Sequence, residues 1–277
     1  MKAALIQLNS SDDPAHNLAD VSHWFDKAVG QGAGFVLTPE VTNCVSTSRA
    51  HQKEVLCHQD DDPTLAALRQ KALAAGVWCL IGSLALKTGD ADGRFANRSF
   101  LIAPDGSIAA QYDKIHMFDV QVSETETYRE SDGYRPGTNA VLAQTPFGMV
   151  GLTVCYDIRF PRLYRHLARA GADILTVPSA FSPVTGVAHW ETLLRARAVE
   201  TGCYVLAPAQ TGTHLAIHGK PRQTHGHALA IGPWGDILAD AGTEPGVICI
   251  DIDVKEVEEA RSRIPSLRQV RQFDDPE

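Results

Sequence analysis

The sequence predicts an α/β protein of mixed, layered architecture, and three observations predict it. Short apolar runs of strand length alternate with stretches of helical periodicity along almost the whole chain. A Pro-Asp-Gly triplet flanked by β-like runs adds a hairpin to that alternation. No low-complexity region, no linker rich in Pro, Gly and Ser, and no fixed-period repeat interrupts the 277 residues, so a single domain over 1–277 fits best.

The elements follow in order. "KAALIQL", from Lys2, reads as a buried first strand. Leu18, Val21, Phe25 and Ala28 then recur at spacings of three and four, one face of an amphipathic helix. "GAGFVLTPE" ends that helix with glycines and enters a second strand, which stops at Pro39 and Glu40. Leu65, Leu68, Ala72 and Ala75 mark the next helix, and "VWCLIGSLAL" the strand after it. "RSFLIAPDGSIAAQYDK" holds the two arms of the hairpin about Pro104, Asp105 and Gly106. "GMVGLTVC", "ADILTVPSA", "CYVLAPAQ", "HALAIGPWGDILA" and "GVICIDID" read as the later strands. Helical segments fall near 161–170 and 188–201, with a charged one near 254–263. Pattern alone leaves open whether the strands form one sheet or two.

Composition narrows the class of protein. Apolar residues make up 44%, enough for a substantial core, and charged residues at 21% are ordinary for a soluble chain. Lys plus Arg number 25 against 33 Asp plus Glu, a net charge of −8 that repels phosphate backbones and acidic membranes, so nucleic acid is not an expected partner. The N-terminus turns polar too early for a secretory signal, and no apolar run approaches the roughly 18 residues of a membrane span. The six cysteines are scattered without a CxxC pair, which points to free thiols in a reducing cytoplasm rather than a disulfide framework.

Cys155 is the first residue that suggests chemistry. Val150, Leu152 and Val154 fit a strand buried on both faces, and Pro161 and Gly171 suit the start and end of the following helix. A thiol at such a junction can project from the end of a sheet, near backbone N–H groups that receive an oxyanion. The plainer reading is a buried cysteine acting as a small hydrophobe. A thiol nucleophile needs a base and an oxyanion stabiliser. None of the eleven histidines stands out as the partner, whereas Glu40 and Lys114 both close strands. Singly, each is more often a surface group; only the combination points to catalysis.

That combination resembles a known family. "LTPEVTN", "YDKIHMFDV" and "LTVCYDIRFPRLYR" look like the Glu, Lys and Cys motifs of the nitrilase superfamily of carbon–nitrogen hydrolases, in that family's chain order and across nearly the whole sequence. "PSAFSPVTGVAHWETLLRARAVETGCYVLAPAQTG" and "GPWGDILADAG" are similar to its amidase branch, which includes deaminated-glutathione amidases and ω-amidases.

The resemblance implies a four-layer α-β-β-α sandwich and an amidase without a cofactor or metal. It also implies that a small-molecule amide, the carboxamide of a small carboxylic or α-keto acid, is hydrolysed to acid and ammonia. Cys155 would form a thioester, Glu40 would serve as general base and acid, and Lys114 with the Tyr156 N–H would stabilise the oxyanion. Losing one such donor typically costs about 3–4 kcal/mol of transition-state stabilisation. Glu130 matches a second glutamate that holds the lysine; its plainer reading is a loop acid solvated beside Arg129 and Arg135. Arg159 either grips a substrate carboxylate or pairs with Asp157 or a helix-end acid. Phe181 and Thr185 are expected pocket residues, or else ordinary loop packing. The resemblance also implies a homodimer or higher homo-oligomer, with 254–277 as a candidate interface segment.

Other readings stand beside this one. An N-carbamoyl amino acid hydrolase or a nitrilase would keep the same three residues, and a catalytically silent binding protein would keep the fold. "GQGAG" (30–34) follows a helix, so it reads as a helix end and turn, not a nucleotide loop. His225 and His227 share a face if extended, but no further His/Cys cluster makes them a zinc site. "HQDDDP" (58–63) reads as a solvated loop before a helix. Two departures from the family pattern are Asp113, where many relatives carry arginine, and a C-terminus without the usual basic-tyrosine ending.

Overall fold

Alternate residues of the first strand, β1 (Lys2–Gln7), belong to two different apolar cores. Ala3 and Leu5 join one, and Ala4 and Ile6 the other. A strand buried on both faces has this period-two division. The computed structural model describes residues 1–122, 127–269 and 271, so the end of the 254–277 segment, residues 270 and 272–277, lies outside the described residues.

The first half of the chain continues through α1 (Pro14–Gly30), β2 (Phe35–Leu37), α2 (Arg49–Val55), α3 (Pro63–Ala75), β3 (Trp78–Lys87), β4 (Phe95–Ile102) and β5 (Ile108–Asp113). A small hairpin of β6 (Asp119–Gln121) and β7 (Thr127–Arg129) follows. The second half runs through β8 (Val141–Thr145), β9 (Gly148–Leu152), α4 (Pro161–Arg169), β10 (Ile174–Thr176), α5 (Pro183–Thr201) and β11 (Tyr204–Ala207). A second small hairpin, β12 (Thr211–His214) and β13 (Arg222–His225), precedes β14 (Leu229–Ile231), β15 (Ile237–Asp240), β16 (Gly246–Asp251) and α6 (Val254–Arg263).

Two six-stranded sheets result, in the orders β16-β1-β2-β3-β4-β5 and β15-β14-β11-β10-β9-β8. In each, the inner strands are parallel: β1, β2 and β3 in the first, β9, β10 and β11 in the second. Val21, Phe25, Leu65 and Leu68 of α1 and α3 cover the outer face of the first sheet. Its inner face packs on the second sheet, and that core continues to Leu167 of α4 and Leu194 of α5. The architecture is therefore the four-layer α-β-β-α sandwich.

Local chemistry sets the helix limits. Asp13 caps α1 by accepting from the Ala15 and His16 N–H groups, and Asp62 caps α3 by accepting from Leu65. Pro14, Pro63, Pro161 and Pro183 all occupy first-turn positions, where a missing N–H is harmless. "GQGAG" is the end of α1 and its turn, and Pro104–Gly106 lies between the paired strands β4 and β5. "HQDDDP" differs from expectation at its last aspartate, because Asp62 is buried as the α3 cap. "HALAIGPWGDILA" is not one strand but the antiparallel pair β14 and β15, turned at Gly232–Gly235. The helix expected from 188 begins at Pro183. Among the described residues no helix is long and apolar enough to cross a membrane.

Candidate active site

The carboxyl ends of parallel strands from both sheets converge on one cavity of about 280 Å³. Such strand ends are where open α/β sheets bind ligands. Glu40 follows β2, Cys155 follows β9, and Ala180 and Phe181 follow β10; Lys114 directly follows the hairpin strand β5. Glu130, Tyr156 and Thr185 complete the expected residues that line it.

Backbone strain holds two of these residues. Cys155 has φ 49° at the start of a single 3₁₀ turn (Cys155–Arg159), and Val41, next to Glu40, has φ 47°. Positive φ is unfavourable for both side chains, and the surroundings supply the compensation. The Cys155 N–H donates to Pro178 O at 3.0 Å, and the Val41 N–H donates to Ser83 Oγ at 2.8 Å. Asp157 fixes the turn from below. Its wholly buried carboxylate accepts from Tyr112 Oη (2.7 Å), the Val154 N–H (2.9 Å), the His116 N–H (3.0 Å) and His116 Nδ1 (2.7 Å). The nucleophile turn is thus tied to residues on either side of Lys114.

The charges are paired and nearly dry. Lys114 Nζ lies 3.0 Å from Glu40 Oε1 and 2.8 Å from Glu130 Oε2. Asn97 Nδ2 donates to Glu40 Oε1 at 2.9 Å and to Glu130 Oε1 at 3.3 Å. The Ala180 N–H donates to Glu40 Oε2 at 2.8 Å, and the Phe118 N–H to Glu130 Oε2 at 2.6 Å. Glu130 is therefore no solvated loop acid. Arg135 pairs instead with Asp90 and, at 4.0 Å, with Asp113.

Protonation follows from these neighbours. Burial alone would lower Lys114, but the charges of Glu130 and Glu40 outweigh it and hold the ammonium well above its usual range. Burial works against ionisation of Glu40, yet Lys114 and Arg222 keep its carboxyl below the ordinary value. Burial and then the Glu40 charge push the Cys155 thiol upward, with Lys114 opposing. The site thus gathers a thiol, a carboxylate and an ammonium on one cavity.

Arg159 is not among the residues that line the cavity. Its guanidinium lies 5.4 Å from the Phe181 ring centroid, 5.9 Å from that of Tyr156 and 3.3 Å from His189 Nδ1. It has no carboxylate partner among the described residues, so the ion pair with Asp157 does not form. His225 and His227 stack at 4.8 Å, and His227 Nδ1 lies 3.0 Å from Asp240. Among the described residues no cluster of three or more His, Cys, Asp and Glu is placed to hold a metal ion. Asp113, the departure beside Lys114, is neutralised by a two-pronged contact with Arg98 at 2.6 and 2.8 Å.

Sequence reasoning missed Asn97, Asp157 as an anchor, and the cavity arginines Arg49, Arg129 and Arg222. A polar Asn97 inside the apolar strand "FANRSFLI" was the one local signal available.

Known proteins resemble this chain in sequence and in fold. A family profile described as carbon-nitrogen hydrolase matches residues 2–262. A deaminated glutathione amidase of Synechocystis sp. is 41% identical, with 96% of this chain and 96% of the relative covered. The crystal structure of the C. elegans NitFhit protein superposes with a TM-score of 0.90 at 32% identity, covering 98% of this chain and 65% of that one. A mutant amidase of Nesterenkonia sp. AN1 superposes with a TM-score of 0.76 at 25% identity, covering 96% of this chain and 98% of that one. That structure shows acrylamide added at its active site cysteine.

Proposed function

The chain belongs to the carbon–nitrogen hydrolase family, and from that premise we propose that it is an amidase using Cys155 as nucleophile. It hydrolyses the terminal carboxamide of a small carboxylic or α-keto acid, of the deaminated-glutathione type, to the acid and ammonia. The observation that carries this reading is the convergence of Glu40, Lys114 and Cys155 on one cavity, with Lys114 held between two carboxylates.

Because the resting sulfur is a thiol, its proton passes to Glu40 as the S–C bond forms. The carbonyl oxygen becomes an oxyanion between Lys114 and the Tyr156 N–H, at the start of the 3₁₀ turn where N–H groups lack intrahelical partners. Glu40 returns the proton to nitrogen, and ammonia leaves a thioester on Cys155. Water then gives a proton to Glu40 and attacks the thioester; collapse releases the acid, and the proton returns to sulfur. Glu130 acts through Lys114, holding it charged and in place. Phe181 and Thr185 shape the cavity wall.

The whole of 1–277 serves as one carbon–nitrogen hydrolase domain. A homodimer or higher homo-oligomer, with 254–277 at an interface, fits the exposure of Val199, Trp234 and Ile264. Six free cysteines suit a reducing cytoplasm.

The test is ammonia release from ω-amides, carbamoyl amino acids and nitriles by the purified protein and by Cys155→Ala. Release from ω-amides that is lost in Cys155→Ala supports the reading. Equal release by the variant removes Cys155 as nucleophile, and turnover confined to carbamoyl compounds or nitriles reassigns the reaction.

A further inference from the structure

Four cationic side chains, Lys114, Arg49, Arg129 and Arg222, line the cavity against two anionic ones, Glu40 and Glu130, although the chain carries −8 overall. Both glutamates are already paired with Lys114, so the surplus positive charge rests on the arginines. A bare carboxamide makes no use of that surplus. A substrate with a carboxylate at the end away from the amide does.

Arg222 is bonded into the network of the reacting groups. Its Nη2 donates to Ala180 O at 2.7 Å, and the N–H of the same Ala180 donates to Glu40 Oε2 at 2.8 Å. Its Nε is buried from solvent and has no hydrogen-bond partner among the described residues. A guanidinium N–H left bare is costly unless a ligand oxygen meets it. Arg49, by contrast, donates Nη1 to Gln52 Oε1 at 2.7 Å and lies over the Tyr134 ring.

We propose that Arg222 is the specificity-determining anchor of the site, binding the free carboxylate of the amide substrate and so placing the carboxamide over Cys155. This inference rests on the amidase reading above and deepens it to ω-amides of dicarboxylic acids. It gives to Arg222 the role expected of Arg159, which is not among the residues lining the cavity. A purely structural role is the competitor: through the Ala180 peptide, Arg222 would only position Glu40. Loss of Arg222 would then slow every amide alike.

The experiment therefore reads discrimination. The kcat/KM of the unmodified enzyme, Arg222→Lys and Arg222→Gln is measured on glutaramate and on pentanamide, its uncharged counterpart. The preference for glutaramate is expected to fall at least tenfold in Arg222→Gln, with Arg222→Lys intermediate. An equal loss on both amides overturns the proposal. In parallel, glutarate is titrated into Cys155→Ala protein by calorimetry, with and without Arg222→Gln. Binding weakened at least tenfold supports the anchor; unchanged binding, or none by either protein, overturns it. If Arg222→Gln gives no cooperative thermal transition, Arg222→Lys takes its place in both assays. Absence of ammonia release by the unmodified enzyme counts against the amidase reading, while the titration still decides the anchor.

Discussion

Lys114 Nζ lies 3.0 Å from Glu40 Oε1, with both side chains almost wholly withdrawn from water. Neither charge is stable there alone, because a buried ion left without its partner costs several kcal/mol. Lys114→Met is expected to lower folding stability by about 3–5 kcal/mol and to lose at least a hundredfold in kcat. Pairing it with Glu130→Gln removes one stranded carboxylate and should recover part of the stability but none of the activity. Denaturant titration of the single and double variants checks this, and a single variant that loses less than about 1 kcal/mol contradicts it.

Asp157 makes a similar argument for position. Its carboxylate gathers four donors from Tyr112, Val154 and His116, all buried or partly buried. Asn at this place turns an N–H toward some of them, leaving bonds unmade at about 1–3 kcal/mol for each unsatisfied group. Asp157→Asn should therefore lower the melting temperature and reduce kcat more than it alters KM, since the turn that carries Cys155 loosens. Retention of full kcat with a lowered melting temperature would show that Asp157 supports the fold without positioning the thiol.

Gly82 is where β3 passes beneath the site. A methyl group there would overlap the Thr38 carbonyl oxygen and Pro178 Cβ and come within 2.8 Å of Pro39 O. Thr38 and Pro39 lead directly into Glu40, and the Pro178 carbonyl oxygen accepts from the Cys155 N–H, so these residues cannot shift without moving the chemistry. Gly82→Ala should destabilise the protein by more than about 3 kcal/mol, the upper range for overpacking. A melting temperature within a degree of the parent would contradict the close approach.

His214 gives a pH dependence with a definite sign. Its ring is 1% exposed, Nδ1 donates to Ser10 O at 2.7 Å, and Nε2 accepts from Thr224 Oγ1 at 2.7 Å. Burial pushes its pKa down to about 4, so the unfolded chain takes up the proton first as pH falls. The stabilisation is complete above the ordinary value near 6.5 and is lost as pH falls toward 4, about 3 kcal/mol in all. Calorimetry between pH 7.5 and 4.5 should show a shallower fall in melting temperature for His214→Gln than for the parent. Parallel curves would remove His214 from the acid response.

Much of this molecule can be read from its chain, and the division is physical. Glu40, Lys114 and Cys155 close apolar runs, and a charge that ends a buried strand is visible locally. The strands and long helices declare themselves through period and caps. Asp157 does not, because the donors that use its carboxylate come from 41 and 45 residues away as well as from Val154. Locally it reads as a partner for Arg159. Arg222 stands in "KPRQTH", which reads as a turn, and only the β12–β13 pairing brings it to Ala180. The β14–β15 turn was hidden because the apolar run continues on both sides of Gly232–Gly235. Short α2 carries only one fully buried residue, Gln52, so no hydrophobic face marks it.

The most direct measurement is the intact mass of the protein, quenched in acid during turnover of an ω-amide and followed by peptide mapping. An added mass equal to the substrate's acyl group, on the peptide holding Cys155 and absent from Cys155→Ala, is the predicted result. Ammonia release with no adduct at Cys155, persisting in Cys155→Ala, would mean that the sulfur, carboxylate and ammonium converge without performing the reaction.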